Sequence, residues 1–331
     1  MLVIAALLGH ALVLGGPAAR LLSRAPWTTR FPQTALRAWH ACAAGFLVSL
    51  TAALVLTAHD LWEHIMVWLF NADMHQVHAA YGGAWQATGI AEAALLALAL
   101  GAGTLSTLTV LRTLRLRHAR DRHRLTADAQ ADRDTMDAPG AQTGPPVRVL
   151  PHPTPAAFCI PGPRGTSRIV VTSAALALLS GPELAATVEH ERAHLRLRHH
   201  RSILVADILT AALGWMGLMR GYAGQVRLLA EMAADDQAAH RHGRRTVAKA
   251  LLEMSAAPGG RPGADGLPAM TGTDPACRIR RLIATAPRGT GRPLSALLML
   301  TALGVTVVPV AVAMTPAALL RDTAHPVSVP H

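Results

Sequence analysis

SGPELAATVEHERAH, Ser180 to His194, is the stretch on which the reading turns. Ser180 and Glu183 have the serine-to-glutamate spacing of a capping box, so a helix is expected to begin there and run to about Arg198. Within it, His190 and His194 stand four residues apart and therefore one turn above another on one face, where both imidazoles reach the same ion. Glu191 lies beside that ion without holding a ligand position, placed to take a proton from water that the ion activates. A catalytic zinc needs a third protein ligand and an open fourth position. Downstream, Leu228 to Asp235 reads as a second helix. Glu231 on it is the candidate third ligand, and Asp235, one turn later on the same side, is the candidate acceptor for the far N–H of a ligand histidine.

Working outward, short β-branched and apolar runs precede that helix at Val147 to Leu150, Ala156 to Ile160 and Arg168 to Val171. Separated by Pro and Gly, they read as three strands of a small sheet. Thr126 to Pro146 is polar and rich in Asp, Ala, Gly and Pro, which reads as a linker. The Pro- and Gly-rich stretch Ala256 to Pro275 reads as a flexible loop and a candidate self-cleavage region.

The rest of the chain points to a bilayer. Of 331 residues, 51% are hydrophobic and 15% charged, with a mean hydropathy of +0.30, a balance that suits a protein partly dissolved in lipid. Four apolar runs approach the roughly 20 residues that a helix needs to cross: Met1 to about Gly16, Trp39 to Ala58, Gly89 to Leu111 and Leu294 to about Met314. The first carries no cleavage signature and is read as a retained span. A fifth run, Ile203 to Met219, carries Asp207 and is short, so an interfacial or buried helix competes with a span there. Arg20, Arg24, Arg30 and Arg37 lie between the first two spans, and Arg112 to Arg124 form a dense cluster after the third. The loop from His59 to Trp85 has neither Lys nor Arg. Cationic loops stay on the cytoplasmic face, so both termini are expected outside and the segment 112–292 inside. The net charge of +11 is thereby assigned to the membrane surface, which argues against direct nucleic-acid binding. Three cysteines far apart give no disulfide framework.

The HExxH at His190–His194 followed by ExxAD at Glu231–Asp235 resembles the gluzincin metallopeptidases. The order of spans, with a domain inserted between the third and fourth, resembles the BlaR/MecR-type integral-membrane zinc metallopeptidases. Val149-Leu150 through Ala157-Phe158, Ile169 to Thr172, and Arg278-Ile279-Arg280-Arg281-Leu282 add to this. The resemblance implies an α-helical membrane protein with an inserted α+β zincin-like domain. Its regions are a three-span membrane domain at 1–111, a basic juxtamembrane segment and linker at 112–146, a cytoplasmic zinc metallopeptidase domain at 147–292, and a fourth span with a short outer tail at 293–331. It further implies a Zn2+-dependent endopeptidase of the cell membrane, acting on a protein or peptide. The candidate substrate is a winged-helix transcriptional repressor, and a homodimer is a candidate assembly. Quality control of membrane proteins is the second enzymatic reading, and a non-catalytic metal-binding scaffold the third. After the last span only Thr315 to His331 remain, where the antibiotic sensors of that family carry a penicillin-binding domain, so a β-lactam receptor is not expected.

Three assignments stay open at this level. A substrate strand is expected to pair with the edge formed by Ala157, Phe158 and Cys159, by analogy with extended peptide recognition. Tyr222, His240 and His242 are the candidates for stabilising an oxyanion. Cys159 is read first as a small buried residue and second as an inhibitory thiolate. His199 and His200, among arginines at the helix end, are read as surface or headgroup contacts without a metal role.

Overall fold

The computed structural model describes residues 2–58, 88–131, 145–162, 166–257 and 275–284, with isolated positions between 67 and 79 and at 307 and 311. The expected fourth span at 294–314, most of the loop at 59–85 and the candidate self-cleavage region lie outside the described residues. Most of the described chain is helical, and three helices are long and apolar enough to cross a membrane: Val3–Arg24, Pro32–Thr57 and Glu92–Arg115.

The first of these does not end at Pro17 as its sequence suggests. Helix α1 (Leu2–Val13) runs through a π-helical turn at Leu14–Ala18, which contains Pro17, into α2 (Ala19–Arg24). The wider turn makes room for the proline ring and tolerates its missing N–H donor, so the helix continues where an α-helical turn would be broken. After a short α3 (Pro26–Arg30), α4 (Pro32–Thr57) starts about two turns earlier than the hydrophobic run, with Pro32 in the first-turn position that tolerates proline. Helix α5 (Thr88–Ala131) is 44 residues long and carries its helical geometry through the basic cluster to Ala131, so the linker expected from Thr126 begins later.

Strands β1 (Val147–Leu150), β2 (Ala157–Ile160) and β3 (Arg168–Thr172) form one sheet in the order β1-β3-β2. β3 is central, parallel to β1 and antiparallel to β2, with Phe158 opposite Val170 and Cys159 opposite Ile169. Thr172 ends the sheet and starts α6 (Ser173–Leu178): its hydroxyl accepts from the Ala175 and Ala156 amides and donates to the Thr154 carbonyl. One face of the sheet buries Val147, Ala157, Ile169 and Val171 against Leu184 and Val188 of α7 (Gly181–Arg196), and against Ala250 and Met254 of α10 (Arg244–Ala256).

The capping box at the start of α7 forms as the spacing predicts, with the Ser180 amide donating to Glu183 Oε2 at 2.8 Å. At its far end α7 stops at Arg196, and Arg198 takes a left-handed conformation (φ 55°) that turns the chain into α8 (His199–Leu213). The run Ile203 to Met219 is therefore not one span: α8 ends before Gly214, and α9 (Gly217–His242) returns antiparallel to it. Gly214 and Gly217 permit that reversal. A Cβ on Gly214 would lie 2.4 Å from the Thr210 carbonyl, and one on Gly217 would lie 2.9 Å from the Gly15 carbonyl. Gly243 (φ 86°) separates α9 from α10, and α11 (Pro275–Ile283) packs on α10.

Candidate metal centre

Helix α7 passes between the sheet and α9, which buries almost every residue from Glu183 to Ala193 and points the two histidines at α9. His190 Nε2 and His194 Nε2 are 3.1 Å apart. Glu231 of α9 brings one carboxylate oxygen to 3.5 Å from His190 Nε2 and the other to 3.4 Å from His194 Nε2. Among the described residues, these three form the group whose ligand atoms could hold a metal ion, all within 4.8 Å of one another. Donors about 2.0–2.1 Å from a tetrahedral ion stand about 3.3 Å from each other, so the observed spacing fits such an ion.

Each histidine is held from behind. Nδ1 of the fully buried His190 lies 3.0 Å from Asp235 Oδ1, and Nδ1 of His194 lies 3.0 Å from Nδ1 of His199. The Asp235 contact favours a proton on Nδ1 of His190 and leaves its Nε2 lone pair facing Glu231; at the contact between His194 and His199 one Nδ1 donates and the other accepts, and ligation through Nε2 of His194 requires His194 to be the donor. Residues 190, 194, 231 and 235 thus come together as the sequence suggests. His199 corrects it. Although it follows the helix end among arginines, the left-handed turn at Arg198 folds it back under His194, where it is 1% exposed and shielded from any headgroup.

A second residue of the centre stands in the stretch Arg278 to Leu282 that carries the resemblance, but nothing in the sequence gives it a role at the site. Arg278 of α11 is fully buried, donates two hydrogen bonds to Asp235 at 2.8 and 2.7 Å, and places Nη1 2.9 Å from Glu231 Oε2. An arginine in an arginine-rich helix looks solvent-bound. Only the apolar positions Ile279 and Leu282 around it signal a packed face, and Leu282 is indeed buried.

The electrostatics follow from these contacts. Burial alone would raise Glu231, but Arg278 first, then the histidines, hold its pKa near 2. Asp235 is held below the ordinary carboxylate range in the same way, with Arg278 the main cause against burial. Burial pushes His194 down to about 4, and burial with His194 nearby pushes His199 down to about 3. Burial opposes charging of His190 too, yet Asp235 and Glu231 outweigh it and raise that ring to about 9. The pocket thus favours a positive charge between His190 and Glu231, the position a bound cation takes.

Glu191 lies between the two histidines in sequence, within electrostatic reach of His190 and Glu231, and also meets the sheet. Burial raises its carboxyl to about 7, and Cys159 of β2 is its hydrogen-bond partner. Burial and the adjacent Glu191 push the Cys159 thiol well above its ordinary range. The thiol is therefore a neutral donor to Glu191, which favours the small buried residue over the thiolate. β2 itself is an outer strand, paired with β3 on one side.

The oxyanion candidates are not brought to this centre. The Tyr222 hydroxyl hydrogen-bonds His40 of α4, and its ring packs against Trp39. Tyr222 and His240 each lie nine residues from Glu231 along α9 and His242 eleven, about 13–16 Å of helix.

Residues 117–233 match the family model described as Peptidase family M48. The matched stretch includes His190, Glu191, His194 and Glu231 and ends two residues before Asp235. No curated protein and no solved structure matches the chain. The match to a metallopeptidase family model over about a third of the chain and the three candidate membrane helices together support a membrane-associated metallopeptidase.

Proposed function

We propose that the protein is a membrane-embedded zinc endopeptidase of the BlaR/MecR type that cleaves a cytoplasmic or membrane-associated protein, with a regulatory repressor as the leading substrate class. The observation that carries this reading is the triangle of His190, His194 and Glu231, with Glu191 beside it. Two imidazoles and one carboxylate are a donor set suited to zinc at a hydrolytic site. A bound zinc ion would supply Lewis-acid polarisation of the scissile carbonyl and make water more acidic.

The chain's own residues do the rest. Glu191, buried and poised near neutrality, takes a proton from the attacking water and returns it to the leaving amine. Asp235 and His199 fix the two rings, and Arg278 keeps both acidic partners ionised. The outer strand β2, at Ala157, Phe158 and Cys159, would align an extended substrate by main-chain pairing. In this reading both termini face outward and the centre faces the cytoplasm, the side on which a repressor is found.

Glu191→Gln is the decisive variant. Comparing cleaved proteins in membranes carrying wild type or this variant, proteolysis should fall by about 10²–10⁴-fold while zinc content stays stoichiometric. A cleavage pattern unchanged in the variant would sink the endopeptidase and leave a metal-binding scaffold.

A further inference from the structure

We propose that the tip of the α8–α9 hairpin, Leu213 to Met216, enters the bilayer from the side of the metal centre and presents Trp215 to lipid acyl chains. The proposal concerns the membrane and is independent of the hydrolytic reading.

Its depth can be read from contacts. Gly217 opens α9 against the Gly15 carbonyl of the first candidate span, and Gly15 in turn lies against the ring of Phe46. Phe46 is close to the middle of the 26-residue α4, about 21 Å of helix from Pro32. The two hairpin helices share one apolar cluster with the spans: Ala206, Leu209, Leu218 and Met219 pack with Leu14, Ala43 and Phe46. At the other end of α9, Arg281 donates to the carbonyls of both Met232 and Thr29, which puts Met232 level with the loop between the first two spans. Fifteen residues of α9 and fourteen of the first span and its loop therefore cover the same height, with Gly217 deep in the bundle.

The hairpin's surface suits hydrocarbon. Ile208 to Met219 contains no charged residue, and Trp215 at its apex is 72% exposed. In water that exposure is costly, whereas in lipid it is the favourable state. The polar groups of the turn are met internally to a large extent. The Met216 amide donates to the Leu213 carbonyl, the Met219 and Arg220 amides donate to Met216, and the Thr210 hydroxyl donates to the Met219 carbonyl while accepting from the Ala223 amide. Non-helical backbone at membrane depth needs such satisfaction. Asp207 and Arg227 pair at 2.5 Å across the two helices toward the base, and between them Arg220 is the one charged residue. Arg220 is exposed one turn above the tip, and its long stem lets the guanidinium reach toward the headgroups. Two arms of this length that turn back at mid-membrane make a re-entrant element, which a helix of 15 residues can form although it cannot span.

The test uses the full chain in phosphatidylcholine vesicles, with and without bromine at mid-acyl positions. The difference in fluorescence between wild type and Trp215→Phe isolates Trp215, a conservative change at an exposed site. That component should be at least halved by the brominated lipid and nearly insensitive to aqueous iodide. Quenching by iodide equal to or greater than that by bromine places the tip in water and overturns the proposal. Insensitivity to both overturns it as well, since a second copy of the chain would then cover Trp215.

Discussion

Arg278 Nη1 lies 2.9 Å from Glu231 Oε2, so the carboxylate assigned to the ion is also one half of a buried ion pair. The same guanidinium grips Asp235 through a second edge, and Asp235 in turn touches His190. A single side chain from a separate helix thereby organises the acidic half of the centre.

Removing it should be severe. Breaking a buried pair leaves its carboxylates uncompensated, at a cost of about 3–5 kcal/mol. Arg278→Ala is expected to lower the unfolding midpoint of the detergent-solubilised protein by that equivalent. Arg278→Lys keeps the charge but loses the fork that reaches two carboxylates, so it should recover only part of the loss. Wild-type stability in both variants would show that the pair is dispensable.

The partners behind the histidines should act on metal affinity. Asp235→Asn and His199→Phe each remove a group that orients a ligand ring, and such changes cost about 10–100-fold in affinity. Competition with a zinc chelator measures this directly. If His199→Phe binds zinc as tightly as wild type, the 3.0 Å contact to His194 is incidental.

Tyr222 offers a test that separates structure from chemistry. Its hydroxyl is engaged by His40, so Tyr222→Phe should cost about 1 kcal/mol of stability through one lost hydrogen bond. Turnover per folded molecule should be unchanged. A large fall in kcat at constant zinc content would return Tyr222 to the role of oxyanion donor.

Glu183 gives a dependence on pH. Its hydrogen bonds to Lys249 and to Ser180 at the start of α7 hold its pKa near 2, below the ordinary 4.5. A carboxylate with a depressed folded-state pKa contributes stability above the unfolded pKa, and that contribution fades as pH falls from about 4.5 to about 2. The stability gap between wild type and Glu183→Gln should therefore be full at pH 6 and shrink across that window, as measured by denaturant unfolding in detergent. A gap constant from pH 6 to pH 3 contradicts the assignment.

Much of this was legible in the residues. Apolar run length located the three candidate spans among the described residues, and local patterns such as the capping box and the histidine spacing act within one or two turns, where sequence distance and spatial distance are nearly the same. The ExxAD stretch gave Glu231 and Asp235 because helix geometry makes their relation local too. What could not be read depends on backbone reversals. Arg198 in a left-handed turn sends His199 inward, and Gly214 with Gly217 splits an apolar run into a hairpin. Arg278 reaches the centre from 43 residues beyond Asp235, a pairing that no local rule encodes. Pro17 misled in the opposite direction, because a π turn can absorb a residue that normally ends a helix.

Helix α9 is unbroken from Gly217, seated on Gly15, to Glu231 and beyond. It therefore behaves as a stiff lever whose fulcrum is in the spans and whose load is the third metal ligand. Over the about 21 Å between those residues, a swing of about 3° moves the carboxylate by about 1 Å, and displacements of that size are enough to cost about 100-fold in rate. In the proposed enzyme, a change in how the spans tilt would by this leverage shift Glu231 relative to the two histidines.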